Sequence, residues 1–302
     1  AGRRVSSLLR QLRPMSASAG PEDVVLNSRV NGLAIATLNR PKVLNSLDLD
    51  MVRILSPQIR TWDSDDSVSV ILMKGAGERA FCAGGDVVSV AKSGRGESDD
   101  GAFARDFFRE EYILDYELAQ LSKPYIVFMD GITMGGGVGL SVPAKFRVAT
   151  ERTLFAMPET GIGLFPDVGG SYYLPKLEGE LGMYLALTGA RLKGADVVKA
   201  GIATHFVAAD QLQTLEAELS TVLQPDEGAV RDVLAKYSSD TSSDASFTCH
   251  LDVINECFAA DSVENLLERL EASQNEWALQ QRDIILQMSP TSVKVAFKQL
   301  RG

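Results

Sequence analysis

Two glycine runs, each directly after an apolar run that reads as a strand, are the first places where chemistry can be housed. One is Phe81-Cys82-Ala83-Gly84-Gly85-Asp86; the other spans Gly131 to Gly139 around Gly135-Gly136-Gly137 and leads into a helix. Glycine lets the backbone turn tightly and lets a ligand approach the main chain. Free N–H groups at a helix start carry partial positive charge. Two such segments can aim two N–H groups at one oxygen, an oxyanion hole; they can equally be a pair of tight turns or an anion-binding loop. Two carboxylates follow. Glu159 leaves an apolar run in Ala156-Met157-Pro158-Glu159-Thr160-Gly161, and Asp167 comes eight residues later in Phe165-Pro166-Asp167-Val168-Gly169-Gly170. Buried, Glu159 has a raised pKa suited to general-base work; its other reading is structural. Asp167 also has two readings, the structural one an N-cap with Val168 as the first helical residue. Arg109-Glu110-Glu111-Tyr112 reads as a solvated helix face with local ion pairs.

Other chemistries lack their residues. No GxGxxG register fits: counting from Gly135 the sixth position is Leu140, and from Gly137 it is Val142. Gly189 to Gly194 is followed by Ala195, not by the lysine of a phosphate loop. Gly139-Leu140-Ser141-Val142-Pro143 carries Pro143 where a nucleophile elbow has its second glycine. His205 and His250 are the only histidines, and His205 reads as a strand entry, which leaves a Ser-His-acid triad without support. Cys82, Cys249 and Cys257 are an odd number with no CxxC, so neither a disulfide framework nor a zinc site is indicated.

These groups need a scaffold, and the pattern is that of an α/β protein. Asp23–Ser28 and Leu33–Leu38 flank Asn31-Gly32, a hairpin signal. A helix follows from Asp48 to about Trp62, then a strand over Val68–Lys74 that ends in glycines. Ser93–Gly101 reads as a surface loop. Next come a charged helix over Ala102–Leu121, stopped by Lys123-Pro124, and a strand over Tyr125–Asp130. Strands alternating with helices imply helical crossovers in a sheet. Beyond Asp167 strands almost vanish, apart from Thr204–Ala208. Amphipathic helices are predicted at 210–222, 226–238, 251–259, 262–272, 275–288 and 290–300. The expected division is an α/β core over 21–210 and a helical C-terminal region over 211–302, whose apolar face ends abruptly at Gly302 and reads as truncated.

Composition bounds the function. The 302 residues are 45% hydrophobic and 23% charged, ordinary for a globular protein that needs no metal or disulfide to fold. The net charge of −10 argues against a general nucleic-acid binder, and no run of about 18 apolar residues predicts a membrane span. Residues 1–20 hold Arg3, Arg4, Arg10 and Arg13 and no acid, so the rest of the chain carries −14. That opening is Arg- and Ser-rich, with Val5, Leu8, Leu9 and Leu12 at helical spacing, the signature of a mitochondrial transit peptide.

Taken together, FCAGGDV, DGITMGGGVGLS, FAMPETGIGLFPDVGGSYYLP and LALTGARLKGADVVKAGIATHFV resemble the crotonase superfamily, and within it the branch that hydrolyses short 3-hydroxyacyl-CoA thioesters; NEWALQQ and MSPTSVK are similar as well. The resemblance runs over about residues 22–300. It implies a spiral of repeated ββα units with a helical C-terminal region. It implies release of CoA and 3-hydroxyisobutyrate from 3-hydroxyisobutyryl-CoA in valine breakdown, in the mitochondrial matrix. The oxyanion hole falls on Gly85 and Gly136. Glu159 matches a general base, or a nucleophile forming a mixed anhydride; Asp167 matches the acid that orients the 3-hydroxyl or water; Glu111 matches a residue near the substrate. CoA is expected along 42–44 and 79–86, with no metal and no separate cofactor. Another crotonase activity, hydratase or isomerase, is an alternative within the family; the position at which the hydratase branch carries its first glutamate is Gly139 here, which disfavours enoyl-CoA hydration. Homo-oligomerisation is compatible with the family. A structural role in the mitochondrial ribosome, known for some relatives, is the alternative; a scaffold tolerates loss of Glu159 or Asp167, and both are present.

Overall fold

The computed structural model describes residues 24–302 apart from 98, 223–224 and 242–244. The expected leader, 1–20, lies outside the described residues. The chain opens with a hairpin, β1 (Val25–Val30) and β2 (Leu33–Leu38), whose turn residues Asn31 and Gly32 both take positive φ, 50° and 85°. That is the geometry that two-residue hairpins favour and that Asn-Gly accommodates. Helix α1 (Leu49–Ser64) starts where Asp48 accepts from Met51 N at 2.9 Å, and it buries Met51, Val52, Leu55, Ile59 and Trp62 on one face.

From there each turn of the chain lays down two strands. β3 (Val70–Gly75) is followed by β4 (Ala80–Cys82). Helices α2 (Val87–Gly94) and α3 (Ala102–Ala119) cross over to β5 (Tyr125–Met129) and β6 (Ile132–Met134). The short helix α4 (Gly136–Ser141) leads to β7 (Phe146–Ala149) and β8 (Leu154–Ala156). The strands divide between two sheets. β1, β2, β3, β5 and β7 run side by side in a six-stranded sheet that is parallel from β2 onward; β4, β6 and β8 are neighbours in a four-stranded one. This is the expected spiral. The surface loop expected over Ser93–Gly101 begins later, because α2 continues to Gly94.

The remaining elements are α5 (Gly170–Tyr173), α6 (Leu181–Thr188), β9 (Leu192–Lys193), α7 (Ala195–Lys199) and β10 (His205–Phe206). They are followed by α8 (Leu212–Thr221), α9 (Glu227–Tyr237), α10 (Leu251–Phe258), α11 (Val263–Ala272), α12 (Glu276–Gln287) and α13 (Pro290–Arg301). The last six match the predicted amphipathic helices.

Alternating residues of the six-stranded sheet face two cores. Ala34, Ala36, Ile71, Met73, Tyr125, Val127 and Met129 face the larger one, shared with the second sheet and most helices. Leu33, Ile35, Val70, Leu72, Ile126 and Phe128 face a smaller one roofed by α8 and α9. Burial on both faces is why these strands read as continuous apolar runs. Helix α6 is buried all round and packs with α10, α12 and α13, which ties the C-terminal helices to the larger core. Among the described residues no helix is long and apolar enough to cross a membrane.

Candidate active site

The two glycine runs meet. After β4 the backbone pairs with the strand-like residue Leu47: Leu47 N donates to Gly84 O and Asp86 N donates to Leu47 O, both at 2.8 Å. Asp86 then caps α2 by accepting from Ser89 N at 3.2 Å, and Arg40 lies 3.7 Å from its carboxylate. The Gly85 peptide is therefore clamped on both sides. After β6 the chain turns at Gly135 (φ 46°, ψ −120°), a conformation open to glycine alone, and Gly136 becomes the first residue of α4. A Cβ built on Gly136 would stand 3.4 Å from Gly85 N. Among the described residues, neither the Gly85 nor the Gly136 N–H donates to a protein acceptor. The Gly85 and Gly136 amides thus lie close together with no protein acceptor, as an oxyanion hole requires of its donors.

Three carboxyl groups pack on the glycine run over 135–139, and a fourth, Asp167, is near enough for its charge to act on them. Glu111 Oε1 lies 2.5 Å from where a Cβ on Gly136 would sit, Glu159 Oε1 lies 3.0 Å from that of Gly135, and Asp115 Oδ1 lies 2.8 Å from that of Gly139. Asp167 Oδ2 accepts from the Tyr112 hydroxyl at 2.7 Å. Burial dominates their chemistry. It pushes Glu159 up to about 8, with the Asp167 charge adding to the effect. Burial, then the charges of Asp115, Asp167 and Glu159, raises Glu111 well above the ordinary carboxylate range. Burial and the Asp167 charge do the same to Asp115. Asp167 is also raised by burial, against the lowering effect of the Tyr112 hydrogen bond. Burial thus raises all four carboxyls, with repulsion by neighbouring carboxylates adding to it at Glu111, Asp115 and Glu159, the kind of environment that tunes a carboxyl for acid–base chemistry.

Beside them opens a cavity of about 680 Å³. Tyr116 and Tyr172, both largely exposed, stand at its rim, and Asp115, Asp167, Tyr173 and Gln299 line it further in, together with Val142 and Phe165. Val168, next to Asp167, holds φ at 42°, a strained value for a β-branched residue; its Cβ lies 2.7 Å from where a side chain on Gly139 would begin.

A family model described as enoyl-CoA hydratase/isomerase matches residues 33–302. The chain belongs to this family. Within the enoyl-CoA hydratase/isomerase, or crotonase, family it is 50% identical to the mitochondrial 3-hydroxyisobutyryl-CoA hydrolase of Mus musculus, over 99% of this chain and 77% of that protein. It is 47% identical to the Homo sapiens protein of the same name, with the same two coverages. Among solved structures, a carnitinyl-CoA dehydratase from Mycobacterium thermoresistibile superposes with a TM-score of 0.85 at 38% identity, covering 93% of this chain and 79% of that one. An enoyl-CoA hydratase from Rhodobacter sphaeroides gives 0.81 at 34% identity, covering 92% and 79%.

As in the sequence reading of this crotonase chain, Gly85, Gly136, Glu111, Glu159 and Asp167 come together, from five separate segments. The segments 42–44 and 79–86 also adjoin, since Ala83 N donates to Leu44 O at 3.1 Å. Two structural readings need correction. Asp167 is no N-cap: α5 begins at Gly170, capped by Gly169, and the Asp167 side chain instead accepts from Tyr112. The Arg109–Tyr112 stretch is a solvated face only in part. Glu110 pairs with Arg53 at 2.7 Å, but Glu111 is buried in the site and Tyr112 holds Asp167. Ser141 is buried, its hydroxyl donating to Val138 O, with no role as a nucleophile. The sequence reading missed Tyr112, Asp115, Tyr173 and Gln299 as site residues. A signal existed for Asp115. Glu111 and Asp115 stand one turn apart beside the apolar stripe Phe107, Leu114 and Leu118, where a solvated charge does not belong.

Proposed function

We propose that this protein is a mitochondrial acyl-CoA thioester hydrolase acting on 3-hydroxyisobutyryl-CoA. The observation that carries the reading is the packing of the buried Glu159 carboxyl on the turn that presents the Gly136 amide, opposite Gly85 N. The thioester carbonyl oxygen accepts from both N–H groups. Glu159, ionised, takes a proton from water as the water oxygen bonds to the carbonyl carbon. The electron pair moves onto the carbonyl oxygen, where each donor contributes about 3–4 kcal/mol to the barrier reduction. Collapse of the tetrahedral intermediate breaks the C–S bond; the CoA sulfur leaves with the proton held by Glu159, and the free acid remains. A base with a pKa near the working pH suits this double duty. Asp167, fixed by Tyr112, orients the water. CoA is part of the substrate and runs along 42–44 and 79–86. The names of the relatives support the substrate and the mitochondrial location.

A hydratase reading fits less well. The space above Gly139 is already filled by Val168 and Asp115, so no glutamate fits at that position. The experiment is release of free thiol from 3-hydroxyisobutyryl-CoA, with crotonyl-CoA as the control. Rapid thiol release with no hydration of crotonyl-CoA supports the hydrolase; hydration without thiol release overturns it.

A further inference from the structure

Among the described residues, the buried side-chain oxygens without a hydrogen-bond partner belong to Asp115, Glu159, Tyr173 and Gln299. Folded proteins satisfy nearly all such atoms, so each orphan requires an explanation. Glu159 is accounted for by the reaction. The other three stand on three different helices, α3, α5 and α13, and line the same cavity. Asp115 is orphaned at both oxygens. Gln299 spends its amide N–H on Pro166 O at 3.3 Å, which leaves its carbonyl oxygen as an acceptor. Unpaired polar groups in an otherwise largely apolar cavity are the mark of a site that orients a polar group of a ligand.

The position of Asp115 indicates which atom. Glu111 and Asp115, one turn apart on α3, lie over Gly136 and Gly139, one turn apart on α4. The Gly136 N–H holds the thioester oxygen at the helix start, and Asp115 packs on Gly139, whose level lies about 4.5 Å farther along the helix axis than that of Gly136, three residues at 1.5 Å each. A hydroxyl on the third carbon of an acyl group is three bonds from the carbonyl carbon, a comparable reach.

We infer that Asp115, with Tyr173 and Gln299, forms a hydroxyl-binding subsite, and that Asp115 sets the preference for acyl-CoAs hydroxylated on the third carbon over those without the hydroxyl. The inference rests on the acyl-CoA reading above. The substrate hydroxyl donates to Gln299 Oε1 or to an Asp115 oxygen and accepts from the Tyr173 hydroxyl or from a protonated Asp115. The hydroxyl then both donates and accepts a hydrogen bond. An acyl group without the hydroxyl leaves three buried polar groups unpaired, and that penalty is what rejects it.

The test compares kcat/KM for 3-hydroxyisobutyryl-CoA and isobutyryl-CoA in the wild type, Asp115→Leu and Asp115→Asn. The wild type is expected to favour the hydroxylated substrate by about 100-fold or more. Asp115→Leu, close to Asp in shape, is expected to cut that ratio by about tenfold or more, through loss on the hydroxylated substrate and gain on isobutyryl-CoA. Asp115→Asn, which keeps a donor and an acceptor, is expected to retain most of it. An unchanged ratio in Asp115→Leu, or an equal loss on both substrates, overturns the subsite. Failure of the hydrolase reading looks different: the wild type cleaves neither thioester. Calorimetric binding of the same two acyl-CoAs then still reads the subsite. A hydroxyl preference in affinity that Asp115→Leu abolishes supports it, and equal wild-type affinities overturn it.

Discussion

A Cβ on Gly135 would come within 3.0 Å of Glu159 Oε1, so the carboxyl proposed to activate water packs directly on the turn that aims the Gly136 amide. Base and oxyanion donor are thereby fixed relative to each other by one contact. The positive φ of Gly135, open to glycine, brings the α4 N-terminus to the carboxyl, and burial of the carboxyl supplies its basicity.

Gly136→Ala tests the oxyanion hole. The added Cβ would stand 2.5 Å from Glu111 Oε1 and 3.4 Å from Gly85 N, inside the gap that receives the thioester oxygen. Thiol release is expected to drop about 10²–10³-fold in kcat, with the variant still folded by circular dichroism. Near wild-type turnover would mean that the oxygen binds elsewhere.

The pH profile follows from Glu159. Its carboxyl is pushed up to about 8, and only the ionised form takes a proton from water. Below about pH 8, kcat/KM should therefore fall roughly tenfold per unit of decreasing pH, and level off above it. A profile flat from about pH 6 to 9 would mean that no base titrating near 8 takes part in the reaction.

The same shift predicts a stability effect. The folded state holds the Glu159 proton up to about 8, whereas the ordinary value is 4.5, so between these values the folded state binds more protons than the unfolded one. Stability contributed by this group is present at low pH and is lost as pH rises through that window. Glu159→Gln removes the loss. Its advantage over the wild type in chemical denaturation should be absent near pH 4, grow as pH rises, and reach on the order of 5 kcal/mol above about pH 8.

Gly139→Glu probes the hydratase alternative. Its Cβ would lie 2.7 Å from Val168 Cβ and 2.8 Å from Asp115 Oδ1. Overpacking at this depth costs about 1–3 kcal/mol. The variant should melt earlier, lose thiol release and gain no hydration of crotonyl-CoA, followed by loss of enoyl absorbance.

Much of the site was legible in the sequence because its parts carry local punctuation. Gly85 and Gly136 lie in glycine runs after apolar strands, and Glu159 and Asp167 are polar residues set among apolar ones and glycines. The helical C-terminal region was legible from its periodicity. What stayed hidden depends on contacts distant in sequence. Asp115 differs from a solvated acid only because α3 packs against Gly139, and Tyr173 and Gln299 meet around one cavity from helices 117 residues apart, α5 ending at 173 and α13 starting at 290. Strands β4, β6 and β8, three residues each, are too short for periodicity to register. Helix α6, buried on every side, shows no amphipathic pattern at all.

The most direct measurement is steady-state thiol release from 3-hydroxyisobutyryl-CoA by the wild type and by Glu159→Gln, at a pH above about 8 where the wild-type base is ionised. Glutamine fills the same space beside Gly135 but cannot take the proton. The account predicts rapid release by the wild type and a fall of about 10²–10⁴-fold in kcat for the variant, with KM little changed. A variant that keeps its turnover within a few-fold of the wild type would contradict the central role of Glu159.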